Sequence, residues 1–241
     1  MGILLDGVIV LLIVVGLVAW RDRAVSSALF SLVSIAAALS AAVLFTFLLS
    51  SPVADHVFRA SVSRAAAYDL ADLVSAPHLD TGEETVEAFS FEPLLEEGAA
   101  PFVDILHKYG TNLDEVRNAY ALSPSSGTVL KIVSRGMADM LAKVSLLAVF
   151  WVGLALLFRW GTRRIEDNLR PPKRLKGLRR LWPLLAALAA AVVIVWGGSL
   201  MLAWAVPYLE PRTLVLSRDM LDSAQIYTIL NRINPFAWLC F

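Results

Sequence analysis

The sequence predicts an all-α membrane protein: a four-helix transmembrane bundle with an outer, mostly helical acidic insertion and an amphipathic C-terminal helix. Three observations carry this. Of 241 residues 58% are hydrophobic and 17% charged, with mean hydropathy +0.67, far more apolar than a water-soluble domain of this length. The apolar residues gather into four long blocks rather than alternating with polar ones. The charges, balanced at 21 basic and 21 acidic, are segregated by region.

A hydrocarbon core about 30 Å thick needs roughly 20 helical residues at about 1.5 Å each. Residues 24–54, between Arg23 and Asp55, and residues 181–209, between Arg180 and Glu210, are uncharged and long enough. Residues 7–20 are extended outward by Met1–Leu5 past the single Asp6. Residues 144–158 are extended by Met140, Leu141 and Ala142 past Lys143. A charge near a helix end costs far less than one at the bilayer centre, and Lys can snorkel to the headgroups. The predicted spans are therefore 3–20, 25–48, 141–160 and 184–206, forming two transmembrane hairpins over 1–49 and 141–206. The first span has no basic residue ahead of it, and Val18-Ala19-Trp20 is a poor cleavage site, so a retained helix is expected rather than a signal peptide. Pro183 suits a first helical turn, Pro207 marks the far end, and the tryptophans fall largely near span ends.

Charge sets the expected orientation. The stretch 159–182 holds nine basic residues against Glu166 and Asp167, and the turn Arg21-Asp22-Arg23 is net positive. Residues 50–140 hold six basic and fourteen acidic residues. Basic residues in short loops stay cytoplasmic. The basic loop 161–182 is thus expected inside, and the N-terminus, the insertion 50–140 and the tail 207–241 outside. Anionic lipid headgroups are the expected contact of the basic loop; Pro171-Pro172 and the lack of interleaved aromatics exclude a nucleic-acid module.

The insertion reads as helical. Phe58, Val62, Ala66, Leu70 and Leu73 recur at three- and four-residue steps, and Phe102, Ile105, Leu106 and Tyr109 form a shorter stripe closed by Gly110. Thr111-Asn112 supply cap residues before a turn carrying Glu115, Ser123-Pro124-Ser125-Ser126-Gly127 is a break, and Val129–Met140 should run into the third span. Such stripes suit helices lying on a membrane surface or packing on one another. In the tail, Asp222 or Ser223 is the expected cap of a membrane-surface helix bearing Ile226, Ile229, Leu230 and Ile233, ended by Asn234-Pro235. Phe236, Trp238 and Phe241 follow as interfacial anchors.

The ordered set of features resembles the CvpA family, the colicin V production proteins of bacterial membranes. It comprises Leu5-Asp6-Gly7-Val8-Ile9-Val10, the basic turn Trp20-Arg21-Asp22-Arg23, the long outer insertion, Pro172-Lys173-Arg174-Leu175-Lys176-Gly177-Leu178, Ser217, and the tail Ile226-Tyr227-Thr228-Ile229-Leu230-Asn231-Arg232-Ile233-Asn234-Pro235. The resemblance implies a protein of the bacterial plasma (inner) membrane, linked to toxin production or envelope maintenance, with no catalytic residues. Some relatives carry an outer serine protease; with 35 residues past the fourth span, none is expected here.

No nucleophile elbow, Walker loop or H-E-x-x-H occurs. His56, His78 and His107 are widely spaced, and Cys240 is the single cysteine, so no metal site, cofactor or disulfide is expected. Asp6 is the one acid inside a predicted span and thus a candidate functional group; Lys143, nearest by depth, is its candidate partner. Ser27, Ser31, Ser34 and Ala38 in the second span, and Ala187, Ala191 and Gly198 in the fourth, keep helical spacing as candidate helix-packing surfaces. The expected function is a non-enzymatic membrane scaffold or accessory protein, with the bilayer and either a second copy or an envelope protein as partners. The alternative is a subunit of a small oligomeric transporter or channel. Reporter tags inserted beside Glu96 and beside Arg174 should appear on opposite faces of the membrane, the former outside; the same face for both would overturn this topology.

Overall fold

The computed structural model describes residues 2–20, 25–74, 91–97, 100–166, 181–209 and 218–236. The turn Arg21-Asp22-Arg23, His78, most of the basic loop (167–180), Ser217, Trp238, Cys240 and Phe241 lie outside the described residues, as does the side chain of Leu73. The architecture is all-α. In chain order the helices are α1 (Gly2–Trp20), α2 (Val25–Val53), α3 (Arg59–Val74), α4 (Glu92–Glu97), α5 (Ala100–Lys108), α6 (Leu113–Leu122), α7 (Ser126–Glu166), α8 (Leu181–Leu209), α9 (Arg218–Ser223) and α10 (Gln225–Arg232). Four of them, α1, α2, α7 and α8, are long and apolar enough to cross a membrane. The protein is a multi-pass membrane protein whose apolar helices contact the bilayer.

Tertiary contacts divide the chain into two compact units. The first comprises 1–48, 145–204 and 217–241; the second comprises 49–144 and 205–216. In the first unit, Trp20 of α1, Ala28 of α2 and Ala186, Ala187 and Ala190 of α8 form one buried cluster, flanked by Leu17, Leu32 and Ile35. A second joins Leu39, Ala42 and Val43 of α2 to Leu147 of α7 and Val193 and Leu200 of α8, with Trp151, Trp196 and Phe236 packed against it. Half of the apolar window of α8 is buried, against 11% for α1 and 11% for α7, so α8 is the hub and α1 and α7 are the most exposed rods. Ile3, Leu4, Leu11 and Val18 accordingly face outward. Lipid tails are as apolar as these side chains, so association of the rods relies on close backbone approach and dispersion. Of the candidate packing residues, Ser31, Ser34, Ala38, Ala187 and Ala191 are buried, whereas Ser27 and Gly198 are half-buried and a Cβ at Gly198 would meet nothing within 4 Å.

The second unit has a core of its own, like that of a soluble domain. Val62, Ala66 and Leu70 of α3, Phe91, Leu95 of α4, Phe102 and Leu106 of α5, Tyr109, Val116 of α6 and Val129, Val133 and Met137 of α7 converge in one buried cluster. Of the two settings expected for these stripes, packing on one another is the one adopted, because each apolar face is too short to be covered by its own helix. The predicted punctuation holds. Asn112 Oδ1 accepts the Glu115 N–H at 2.7 Å to start α6, and Ser125 Oγ accepts the Thr128 N–H at 3.1 Å to start α7. Gly110, with φ of 71°, closes α5 as Thr111 N–H reaches Leu106 O and Gly110 N–H reaches His107 O, each at 2.9 Å. The Tyr208 ring occupies the space where a Cβ at Gly110 would stand.

The predicted spans lie inside longer helices. α7 runs without a break from the Ser123–Ser125 turn to Glu166, as the reading of Val129–Met140 required. α2 continues past residue 48, and after Pro52 the chain widens into one π turn, Ala54–Phe58, where Arg59 N–H bonds Ala54 O before α3 begins. Proline lacks an N–H and crowds the preceding turn, and a π turn absorbs the mismatch without ending the helical path.

Two neighbouring glycines of α8 should respond differently. A Cβ at Gly197 would lie 2.5 Å from Trp151 Cη2 and Cζ3, whereas one at Gly198 meets nothing within 4 Å. Gly197→Val should cost about 1–3 kcal/mol by overpacking, read as a lower unfolding temperature in detergent, with Gly198→Ala close to wild type. Equal effects would remove the close contact.

Candidate functional site

Asp6 is placed on the inner turn of α1 by the short run Gly2-Ile3-Leu4-Leu5, and α1 meets the tail there. Its carboxylate accepts three backbone N–H groups at the start of α10: Gln225 at 2.9 Å on Oδ2, and Ile226 at 3.0 Å and Tyr227 at 3.2 Å on Oδ1. The first N–H groups of a helix have no partner within it, and the helix dipole favours a negative charge at that end. Asp6 therefore caps α10 from 219 residues away. The cap expected from Asp222 or Ser223 is corrected: both belong to α9, Ala224 stands at the cap position with no side-chain bond, and Ser223 Oγ instead bonds Met220 O. The close approach requires Gly2, where a Cβ would meet Ser223 Oγ at 2.5 Å and Ala224 N at 2.6 Å.

The far end of the tail is fastened to α8. Trp196 Nε1 donates to Leu230 O at 3.0 Å, and Asn234 Nδ2 donates to Ser199 Oγ at 2.9 Å while its Oδ1 accepts the Phe236 N–H at 3.0 Å. Asn234 is buried, which explains why an Asn-Pro ends α10: the amide ties the turn to the bundle and the proline stops the helix. Tyr227 points inward, whereas Ile229 and Ile233 face outward. The tail is more than a surface helix, since it is docked on two membrane helices.

Lys143 pairs with Asp139 at 2.6 Å one turn earlier on α7. Asp6 and Lys143 thus each hold a partner of their own. Around Asp139 the second unit forms a charged cleft of about 320 Å³, lined by Asp55 and Arg59 at the π turn, Gly110, Thr111 and Glu115 from the α5–α6 connection, and Arg135, Gly136 and Asp139 of α7. The π turn presents the first pair: Arg59 Nη2 lies 2.6 Å from Asp55 Oδ1. Arg59 Nε is buried without an acceptor. Arg135 and Glu115 are exposed, and neither side chain has an ion-pair partner among the described residues. Gly136 lets other groups close in on α7: a Cβ there would lie 3.2 Å from both Tyr109 O and Tyr208 Oη. A further polar knot ties α3 to the end of α5, where Asp69 Oδ2 accepts Lys108 Nζ at 2.5 Å and Tyr109 Oη at 2.7 Å.

The sequence reading singled out Asp6 and missed the cleft. Its signal was present as charges four residues apart, Asp55 and Arg59 on one helix and Arg135, Asp139 and Lys143 on another, which place each set on one face. Among the described residues no group of three or more His, Cys, Asp or Glu is placed to hold a metal; His56 Nδ1 is engaged with Pro52 O at 2.9 Å. No protein-family model, curated protein or solved structure matches this chain.

Removing the Asp6 carboxylate should loosen the tail. Asp6→Ala should cost about 1–2 kcal/mol, as losing a good helix cap does, and raise amide exchange at Ile226 and Tyr227 by roughly tenfold or more. Unchanged exchange at those two amides would contradict the cap.

Proposed function

We propose that the chain is a non-enzymatic membrane scaffold or accessory protein of the kind the colicin V production family comprises, working in the bacterial plasma membrane in toxin production or envelope maintenance. In this reading the insertion, the N-terminus and the tail face outward, and the basic loop faces the cytoplasm. The spans hold the helical second unit at the membrane for an envelope partner or a second copy.

One observation carries the reading: Asp6, Ser199, Asn234 and the Trp196 indole of the membrane unit are spent on holding the tail to the bundle. Asp6, the candidate for a proton or cation role, gives both carboxylate oxygens to backbone N–H groups of α10. Asn234 and Ser199 satisfy each other, and the Trp196 indole satisfies a tail carbonyl. A transport subunit would need such groups turned toward a water-filled path. The ordered motifs of the sequence add the family resemblance, and the Asn-Pro end of the tail gains a packing role consistent with it.

Purification of the full chain in mild detergent should retain an envelope protein or a second copy in fixed stoichiometry, and reconstituted vesicles should pass protons and potassium no faster than empty ones. Flux that appears with the wild type and disappears with Asp6→Asn would replace the scaffold by the transporter subunit.

A further inference from the structure

The charged cleft of the second unit has more recognition capacity than its own side chains consume. Its lining carries three carboxylates, Asp55, Glu115 and Asp139, and two guanidinium groups, Arg59 and Arg135. Two of the acids are matched within the fold, Asp55 by Arg59 and Asp139 by Lys143. What is left over among the described residues is complementary: the Arg135 guanidinium has no acceptor and the Glu115 carboxylate no cation, and both side chains are exposed. Guanidinium groups are strong, oriented partners for phosphate oxygens. A polyanion would meet three carboxylates and a polycation two arginines. A neutral zwitterion meets neither objection.

Height and size narrow the ligand. Asp55 directly follows the uncharged run 24–54 of α2, and Asp139 stands one turn before Lys143, where the uncharged run 144–158 of α7 begins. Along the two helices Asp55 and Asp139 thus fall within about two turns of the uncharged runs, with Arg59 and Arg135 one turn farther out, close to the depth at which lipid headgroups lie. A volume of about 320 Å³ suits one small polar group, and the π turn that forms one wall is a feature that recurs at binding sites.

We propose that this cleft binds a phosphate monoanion joined to a primary ammonium, that is, a phosphoethanolamine group, with Arg135 holding the phosphate and Glu115 the ammonium. The group is carried by a phosphatidylethanolamine headgroup or by the free ester. The proposal needs the bilayer contact of the spans and not the scaffold reading. A primary ammonium donates hydrogen bonds to Glu115, which a quaternary choline cannot do, so the cleft discriminates between the two headgroups.

The full-length protein is reconstituted in nanodiscs with equal phosphatidylethanolamine, phosphatidylcholine and phosphatidylglycerol, released into detergent, and its retained lipids are counted by native mass spectrometry. Phosphatidylethanolamine should be enriched about tenfold over the other two, as one charge-assisted hydrogen bond provides. Arg135→Gln should remove most of that retention and Arg135→Lys part of it. Glu115→Gln should bring ethanolamine and choline lipids to parity while keeping the phosphate contact. Both positions are exposed, and helicity by circular dichroism should stay at the wild-type value. Displacement of the lipid by millimolar free phosphoethanolamine supports the proposal with the soluble ester as ligand; retention against it supports the proposal with the lipid as ligand. Equal retention of the three lipids, preference for phosphatidylglycerol, or indifference to both Gln variants would overturn it.

Discussion

Hydrocarbon offers no hydrogen bonds, so each polar group that enters a lipid-immersed bundle must find its partner inside the protein. In the membrane unit the tail and the groups it docks on meet this constraint for each other. The three N–H groups that open α10 fall on the Asp6 carboxylate. The Leu230 carbonyl falls on the Trp196 indole, and the Asn234 amide on Ser199. Neither partner set is satisfied alone: α10 is only eight residues long and marginal as an isolated helix, and an uncompensated carboxylate in α1 would be expensive. Each offsets the cost of the other, which ties the two ends of the chain together and fixes the first span to the rest of the unit.

The chain divides into two compact units. Within the first unit buried leucines such as Leu39, Leu147 and Leu200 pack beside small residues such as Ala28, Ala187 and Ala190, and Gly197 leaves a seat for Trp151. In the second unit large side chains are buried outright, Phe91, Phe102, Leu106 and Tyr109 among them. Residues of α2, α7 and α8 are shared between the two units. The π turn after Pro52 is the one place among the described residues where the helical path is bent to bring charged side chains to a cleft.

The charged cleft and the Asp6 clasp divide the polar chemistry of the molecule. The clasp closes on itself and leaves its groups occupied, which favours a structural role. Among the described residues the cleft leaves Arg135 and Glu115 without ion-pair partners beside matched pairs, which favours recognition of something else.

What the residues alone determined were the properties that depend on local runs and periods. Four apolar blocks of sufficient length, the stripes Val62-Ala66-Leu70 and Phe102-Leu106-Tyr109, the Asn112 cap, the Gly110 stop and the Asn234-Pro235 stop all appear where the pattern placed them, because each depends on neighbours within a few positions. Tertiary structure decided what joins residues remote in sequence. The cap of α10 is a side chain 219 residues away rather than Asp222 or Ser223, and the glycine that admits a tryptophan is Gly197. The cleft draws Asp55, Glu115 and Asp139 from three separate stretches. No spacing rule encodes such pairings, since they follow from which helix faces which, and that is settled only when the whole set of apolar and polar faces is satisfied together.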